Sequence, residues 1–190
     1  MNIKHLINTC FNDATKSMVM GTSPQSLARA RERVWIKTLS THLADALDEE
    51  NNRVFSSYQR GNTDNFGTEQ LLYDIQVCRV GITTTADKKK EEIHYIQASL
   101  WQIETDFSRE IHQAVYAFNR LVTGNGEQKL FIGAQLKTGR DTFIGTLKAS
   151  AAACTGTVHL ALIPHPDDWD DDDHSIDVWQ FTDGEWVESK

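Results

Sequence analysis

Hydrophobic positions change their period along the chain, and each change marks an element. From about Ser26 the stretch LARARERVWIKTLSTHLADALDEE has apolar residues at 35, 36, 39, 43, 46 and 47, the spacing of a helix with one buried face. Ser23 is placed to cap it, with Pro24 in its first turn, and Asn51-Asn52 marks its exit. Arg53–Tyr58 then reads as a short strand and Gly61–Gly67 as a loop rich in Gly, Asn and Asp. Two apolar runs, Leu71–Ile82 and Ile93–Phe107, flank the charged segment Asp87-Lys88-Lys89-Lys90-Glu91 and predict a long antiparallel hairpin. The next segment has apolar residues at 111, 114, 115, 118, 121 and 122, with Ser108 as N-cap and Gly124 past its end, a second amphipathic helix. Leu130–Leu136 is a short buried strand, Asp141–Ala153 a helix of small residues, and Thr157–Pro166 a further buried strand that its prolines end. Ile176–Phe181 and Glu185–Val187 close the chain as a hairpin around Asp183-Gly184.

The order is helix, three meandering strands, helix, strand, helix, strand. It predicts an α/β domain in which a mixed sheet is flanked by helices. A length of 190 residues suits a single domain, 1–190, with a core over about 27–163.

The hairpin also makes a chemical statement. Centred near Lys89, it sets Asp74 opposite Glu104 and Gln76 opposite Gln102. Directly opposed side chains have Cβ atoms about 4.5–5.5 Å apart, so two carboxylates would be forced together. Such a pair calls for a cation or a shared proton. Asp106 lies two residues beyond Glu104 and shares its face. Asp74, Glu104 and Asp106 together are therefore a candidate metal site. Gln76 and Gln102 lie on the same face as candidate support, although a polar stripe is also what the solvated side of a sheet presents.

Charge changes the picture in one place. The net charge is −8, but residues 165–190 alone hold ten acidic residues and one lysine, a net of −9, so the remaining 164 residues carry +1. The body is near neutral with an acidic appendage, and lacks the strong positive charge that announces a nucleic-acid-binding domain. No run of about 18 apolar residues is present, so no membrane partner is expected. The N-terminus lacks the uninterrupted apolar stretch of a signal peptide. Cys10, Cys78 and Cys154 are far apart, an odd number without CxxC spacing, which reads as reduced thiols in a cytoplasmic protein.

With Asp74 on the second core strand and Glu104-Thr105-Asp106 on the third, just before a helix, the chain resembles the PD-(D/E)XK nuclease superfamily, the restriction-endonuclease-like fold. Residues 27–163 cover that pattern in order. The resemblance implies a metal-dependent phosphodiesterase acting on nucleic acid, DNA above all, with Mg²⁺ or Mn²⁺ as cofactor. Two departures stand out. Asp106 occupies the place of the usual lysine, where some members carry a second carboxylate or an amide, and Tyr73 replaces the usual proline before Asp74. In many members a helical acid completes the site; here Glu32, Glu49 and Glu50 are available, and Glu32 shares the apolar side of its helix with Trp35, Ile36 and Leu39. The alternative is a nuclease-fold protein that no longer cuts and serves as a binding or scaffolding module. Assembly, a homodimer included, is left open.

Three further features have simpler explanations. Arg29, Arg33 and Lys37 repeat at helical spacing, as do Arg109, Gln113, Tyr116 and Arg120 on the later helix; both stripes could track phosphates, while most such stripes are solvated faces. Lys88-Lys89-Lys90 suits a solvated turn. His165, His174 and the aspartate run between them carry metal-binding side chains, but a solvated acidic loop is the ordinary form of such a run. Its charge could also shield a positive groove by imitating nucleic acid.

Overall fold

The sequence pattern resolves into one seven-stranded sheet with helices on both faces. The computed structural model describes residues 1–47, 51–86, 90–171 and 175–189. Strands β1 (Asn52–Phe55), β2 (Ile75–Thr84), β3 (Glu92–Asp106), β4 (Gln128–Ala134), β5 (Thr157–Ile163), β6 (Asp177–Thr182) and β7 (Glu185–Glu188) lie side by side in sequence order. β1, β2 and β3 run antiparallel, β3, β4 and β5 are parallel, and β6 and β7 return antiparallel. The two parallel connections are α4 (Ile111–Val122) and α5 (Arg140–Ala153). A mixed sheet between helices is thus the observed architecture.

On one face, α1 (Ile3–Thr15) and α2 (Pro24–Ala46) pack against Ile75, Val77, Ile103, Leu130 and Ile132. On the other, α4 and α5 cover Phe131, Leu160 and Leu162 through Phe118, Leu121, Phe143 and Leu147. Gln76, Gln102 and Glu104 alternate with the first set and so belong to the α4 side, where Tyr73, just before β2, also packs. A one-turn helix, α3 (Thr63–Phe66), interrupts the expected loop and seals Phe55 with Phe66.

The capping of α2 is as the sequence states: the Ser23 hydroxyl accepts from Ser26 N, the Ser26 hydroxyl accepts from Ser23 N, and Pro24 opens the first turn. For α4 the cap is two residues later than expected. Glu110 occupies it without a side-chain bond, while the Ser108 hydroxyl accepts from Glu110 N. Helix α1 is an addition to the expected elements. Its buried residues, Ile3, Leu6, Ile7, Cys10, Phe11 and Ala14, have regular helical spacing, and the intervening Asn, Asp and Thr face outward.

Residues 165–190 form less of an appendage than their charge suggests. β6 and β7 complete the sheet, and Trp169 is buried in the α1–α2 core against Phe11. No described helix is long and apolar enough to cross a membrane. Glu49, Glu50, Lys88, Lys89, Asp172, Asp173 and His174 lie outside the described residues.

Candidate active site

The hairpin register decides whether the acidic residues meet. Ile75 pairs with Ile103, Gln76 with Gln102 and Val77 with Trp101, the register the sequence predicts; the ladder ends there, and Asp74, the next residue, lies close enough for its charge to act on Glu104. The tip does not share this register. Cys78 pairs with Ser99 and Val80 with Ile96, leaving Leu100 and Gln97 as extra residues on β3. A single slip would turn every side chain to the other face; two slips restore the original parity. The bulges therefore move the tip relative to the site without changing which residues share the site's face.

Asp74 stands one residue before β2, and its Oδ2 accepts from Thr105 N at 2.8 Å, which ties it to β3. Glu104 is 1% exposed. Its Oε2 meets the Arg120 guanidinium of α4 at 2.9 Å, while its Oε1 is buried without a partner. Asp106 is half-buried at the end of β3, its Oδ1 accepting from Ser108 N at 2.6 Å. Glu32 of α2 joins them. It lines with Asp106 an open cleft of about 740 Å³ whose walls include Arg29, Ser108, His165 and Asp167.

This proximity and burial shift the proton affinities. Burial and then the Asp74 charge push the Glu104 carboxyl up to about 8, against the pull of Arg120. Burial raises Glu32, and Asp74 and Asp106 add to it. Asp74 is raised by burial, with the Thr105 N–H and Arg120 opposing. Asp106 is likewise raised by burial, with the Ser108 N–H opposing. Burial thus raises all four carboxyls, and repulsion from neighbouring carboxylates adds to it at Glu104, Glu32 and Asp74.

Among the described residues, no three His, Cys, Asp or Glu side chains stand together as a ready metal cage. The donor chemistry nonetheless fits a hard cation. The groups are all carboxylates, and the unpartnered buried Oε1 of Glu104 is an acceptor without a donor, a costly arrangement in a protein interior.

Gln76 and Gln102 take the predicted positions but bond away from the carboxylates. Gln76 Nε2 donates to the Ser99 hydroxyl at 2.9 Å, and Gln102 Oε1 accepts from Gly126 N at 3.1 Å. Their work is to fix β2 to β3 and to hold the α4–β4 turn. Of the two basic stripes, Arg29, Arg33 and Lys37 are exposed, whereas Arg120 turns inward to Glu104 and Arg109 pairs with Asp168.

Sequence reasoning missed three neighbours of the site. Arg120 appears from spacing alone as one member of a polar stripe, and its reach to Glu104 is a matter of side-chain conformation. Tyr58, half-buried after β1, feels the charges of Arg33, Glu32 and Asp74, and burial raises its hydroxyl. His165 lines the cleft; its Nδ1 accepts from Asp167 N at 3.1 Å, and burial together with Arg109 lowers its proton affinity.

Comparisons with protein-family models, curated proteins and solved structures give no match to this chain.

Proposed function

We propose that this protein is a divalent-metal-dependent phosphodiesterase acting on nucleic acid, DNA in the first instance, with a core of the PD-(D/E)XK kind. The observation that supports the reading is the end of the β2–β3 ladder, where Asp74 bonds Thr105 N and lies near Glu104, beside the cleft that Glu32 and Asp106 line. The order of elements supports it as well: a helix, three antiparallel strands, a helix and a parallel strand. The carboxyl ends of parallel strands β3, β4 and β5 lie at this edge, where open α/β sheets hold their ligands.

Asp74 and Glu104 would hold the ion, Glu104 through its unpartnered Oε1. When bound, Mg²⁺ or Mn²⁺ polarises a phosphoryl oxygen, lowers the pKa of water and offsets developing charge. Asp106 has a raised proton affinity at the cleft wall, which suits a group that takes a proton from an attacking water. Glu32 faces the same space from α2 and adds negative charge that favours a cation there. Arg120 supplies positive charge next to Glu104 in a structure where Asp106 stands in place of lysine. Its guanidinium also keeps one oxygen of Glu104 fixed, so that the other points in a defined direction.

A second reading, the non-cutting binding module, is favoured by the same ion pair. Arg120 already neutralises Glu104 in part, and a carboxylate at 106 cannot bring lysine's charge to the scissile phosphate. Incubation with single- and double-stranded DNA and RNA in Mg²⁺ or Mn²⁺ separates the two. The enzyme reading predicts nicking or degradation that Glu104→Ala reduces on the order of a thousandfold. Survival of every substrate, with metal binding demonstrated, leaves the binding module.

A further inference from the structure

Three basic side chains beside the segment that walls the cleft are already engaged, and their partners are carboxylates of that segment. Arg31 of α2 donates from Nη2 to both oxygens of Asp170, at 2.6 and 2.7 Å, and from Nη1 to the Pro166 carbonyl at 2.8 Å. Arg109, just before α4, donates to Asp168 Oδ2 at 2.6 Å. Lys137, after β4, stands 3.7 Å from Asp168 Oδ1. Three cations from three separate elements thus converge on the residues 166–170, beyond the carboxyl end of β5.

We propose that Arg31, Arg109 and Lys137 form a binding strip for the phosphate backbone of a nucleic acid, and that Asp168 and Asp170 occupy it as stand-ins for successive phosphates. The inference rests on the proposed nucleic-acid substrate and adds the surface that holds it and the group that competes with it. Guanidinium recognises carboxylate and phosphate in the same way, through parallel N–H donors on paired oxygens. The cations held by Asp168 and Asp170 are therefore suitably disposed for phosphate oxygens.

The strip is continuous with the candidate site. His165, Pro166 and Asp167, which lead into the segment, form a wall of the cleft that Glu32 and Asp106 line. A backbone lying along the strip would pass the mouth of that cleft. In the uncomplexed protein, acidic side chains occupy the strip instead.

The anchoring of the segment explains how exchange can occur without unfolding. Trp169 lies between the two aspartates and is buried; its Nε1 donates to the Pro164 carbonyl at 3.0 Å, and its ring meets Phe11 edge-on at 5.5 Å. That holds the backbone in place. The acidic arms are more accessible, with the Asp170 side chain 78% exposed and that of Asp168 24%. Arg31 is itself fixed, its side chain 11% exposed against the Pro166 carbonyl and the Trp169 ring, so its donors stay in place while the Asp170 carboxylate turns away.

The test is DNA binding by Asp168→Asn/Asp170→Asn in EDTA, where no cleavage intervenes, using a fluorescein-labelled duplex and anisotropy across a salt series. The expected result is affinity raised about tenfold, with a log–log salt dependence steeper by about two, at about 0.9 for each additional phosphate contacted. A control, Asp183→Asn/Glu188→Gln, removes the same charge from the remote β6–β7 hairpin and is expected to change affinity little. Arg109→Gln/Lys137→Gln is expected to have a small effect in the wild-type background and, in the Asn/Asn background, to remove the share of the gain that comes from Asp168, about half of it, a coupling that a loosened fold would not produce. Unchanged affinity and slope in the Asn/Asn protein, an equal gain in the control, or a gain that Arg109→Gln/Lys137→Gln leaves undiminished overturns the proposal. Because these measurements exclude metal, a protein that gains affinity but never cuts keeps the strip and loses the hydrolase reading. A protein that cuts without this gain loses only the strip.

Discussion

Glu104→Gln is expected to make the metal-free protein more stable at alkaline pH, although it removes an ion pair. Glu104 is almost fully buried, and its carboxyl is raised from 4.5 to about 8 by burial and by Asp74, with the Arg120 attraction already acting. A folded-state value above the unfolded one means that the folded protein holds the proton more tightly. Its stabilising effect is complete below the unfolded value, declines as pH rises from about 4.5 to about 8, and is gone above that. At about 1.4 kcal/mol per tenfold change in proton affinity, ionising Glu104 in the folded protein costs at most about 5 kcal/mol. Water entry and local relaxation reduce that, so an effect of about 2–4 kcal/mol is expected. Glutamine keeps the shape and the neutral form, and never ionises. Urea unfolding in EDTA should therefore give closely similar stabilities for wild type and variant at pH 5, and a variant more stable by that margin at pH 9. A variant less stable than wild type at pH 9 would refute the reasoning, because it would show the charged Glu104–Arg120 pair to be net stabilising without a metal.

Two more outcomes follow from the same structure. Mg²⁺ or Mn²⁺ should raise the thermal midpoint of the wild type by mass action, and Asp74→Asn should weaken that response while keeping the fold; equal shifts in both proteins, read by differential scanning fluorimetry, would place the ion elsewhere, with the acidic segment after β5 the first suspect. Gly156→Ala should destabilise by about 1–3 kcal/mol in denaturant titrations, because Gly156 has φ +75° and a Cβ there would lie 2.6 Å from the carbonyl oxygens of Gly126 and Glu127.

Much of this fold was legible because hydrophobic periodicity is a direct record of which faces are buried. The Ser23 cap and Pro24 start of α2, the strand pairs around Asp183-Gly184 and the small-residue helix α5 all follow from local rules that tertiary packing did not override. Helix α1 escaped because its polar residues interrupt the apolar run in sequence, although they lie on one outer face in space. The strand register beside the candidate site was legible through symmetry of the two apolar runs, and it holds for a subtler reason than symmetry alone. Pairs near the hairpin tip follow a register two residues away from that at Ile75–Ile103, and the two bulges at Gln97 and Leu100 compensate. Bulges leave little trace in a hydrophobic pattern. Arg120 and the Asp168–Asp170 clamp were not legible, since long side chains reach across elements whose relative positions only packing defines. The prediction that Gln76 and Gln102 share the face of the carboxylates was sound, but a shared face does not fix where an amide bonds.

The central claim is that Asp74 and Glu104 together hold a divalent cation. The most direct measurement is crystallography with Mn²⁺, locating the ion by its anomalous scattering. The account predicts one strong peak in contact with carboxylate oxygens of both Asp74 and Glu104, with Asp106 facing the same space. Mn²⁺ found only along the Asp167–Asp171 segment, or no peak near Asp74 at millimolar Mn²⁺, would contradict it.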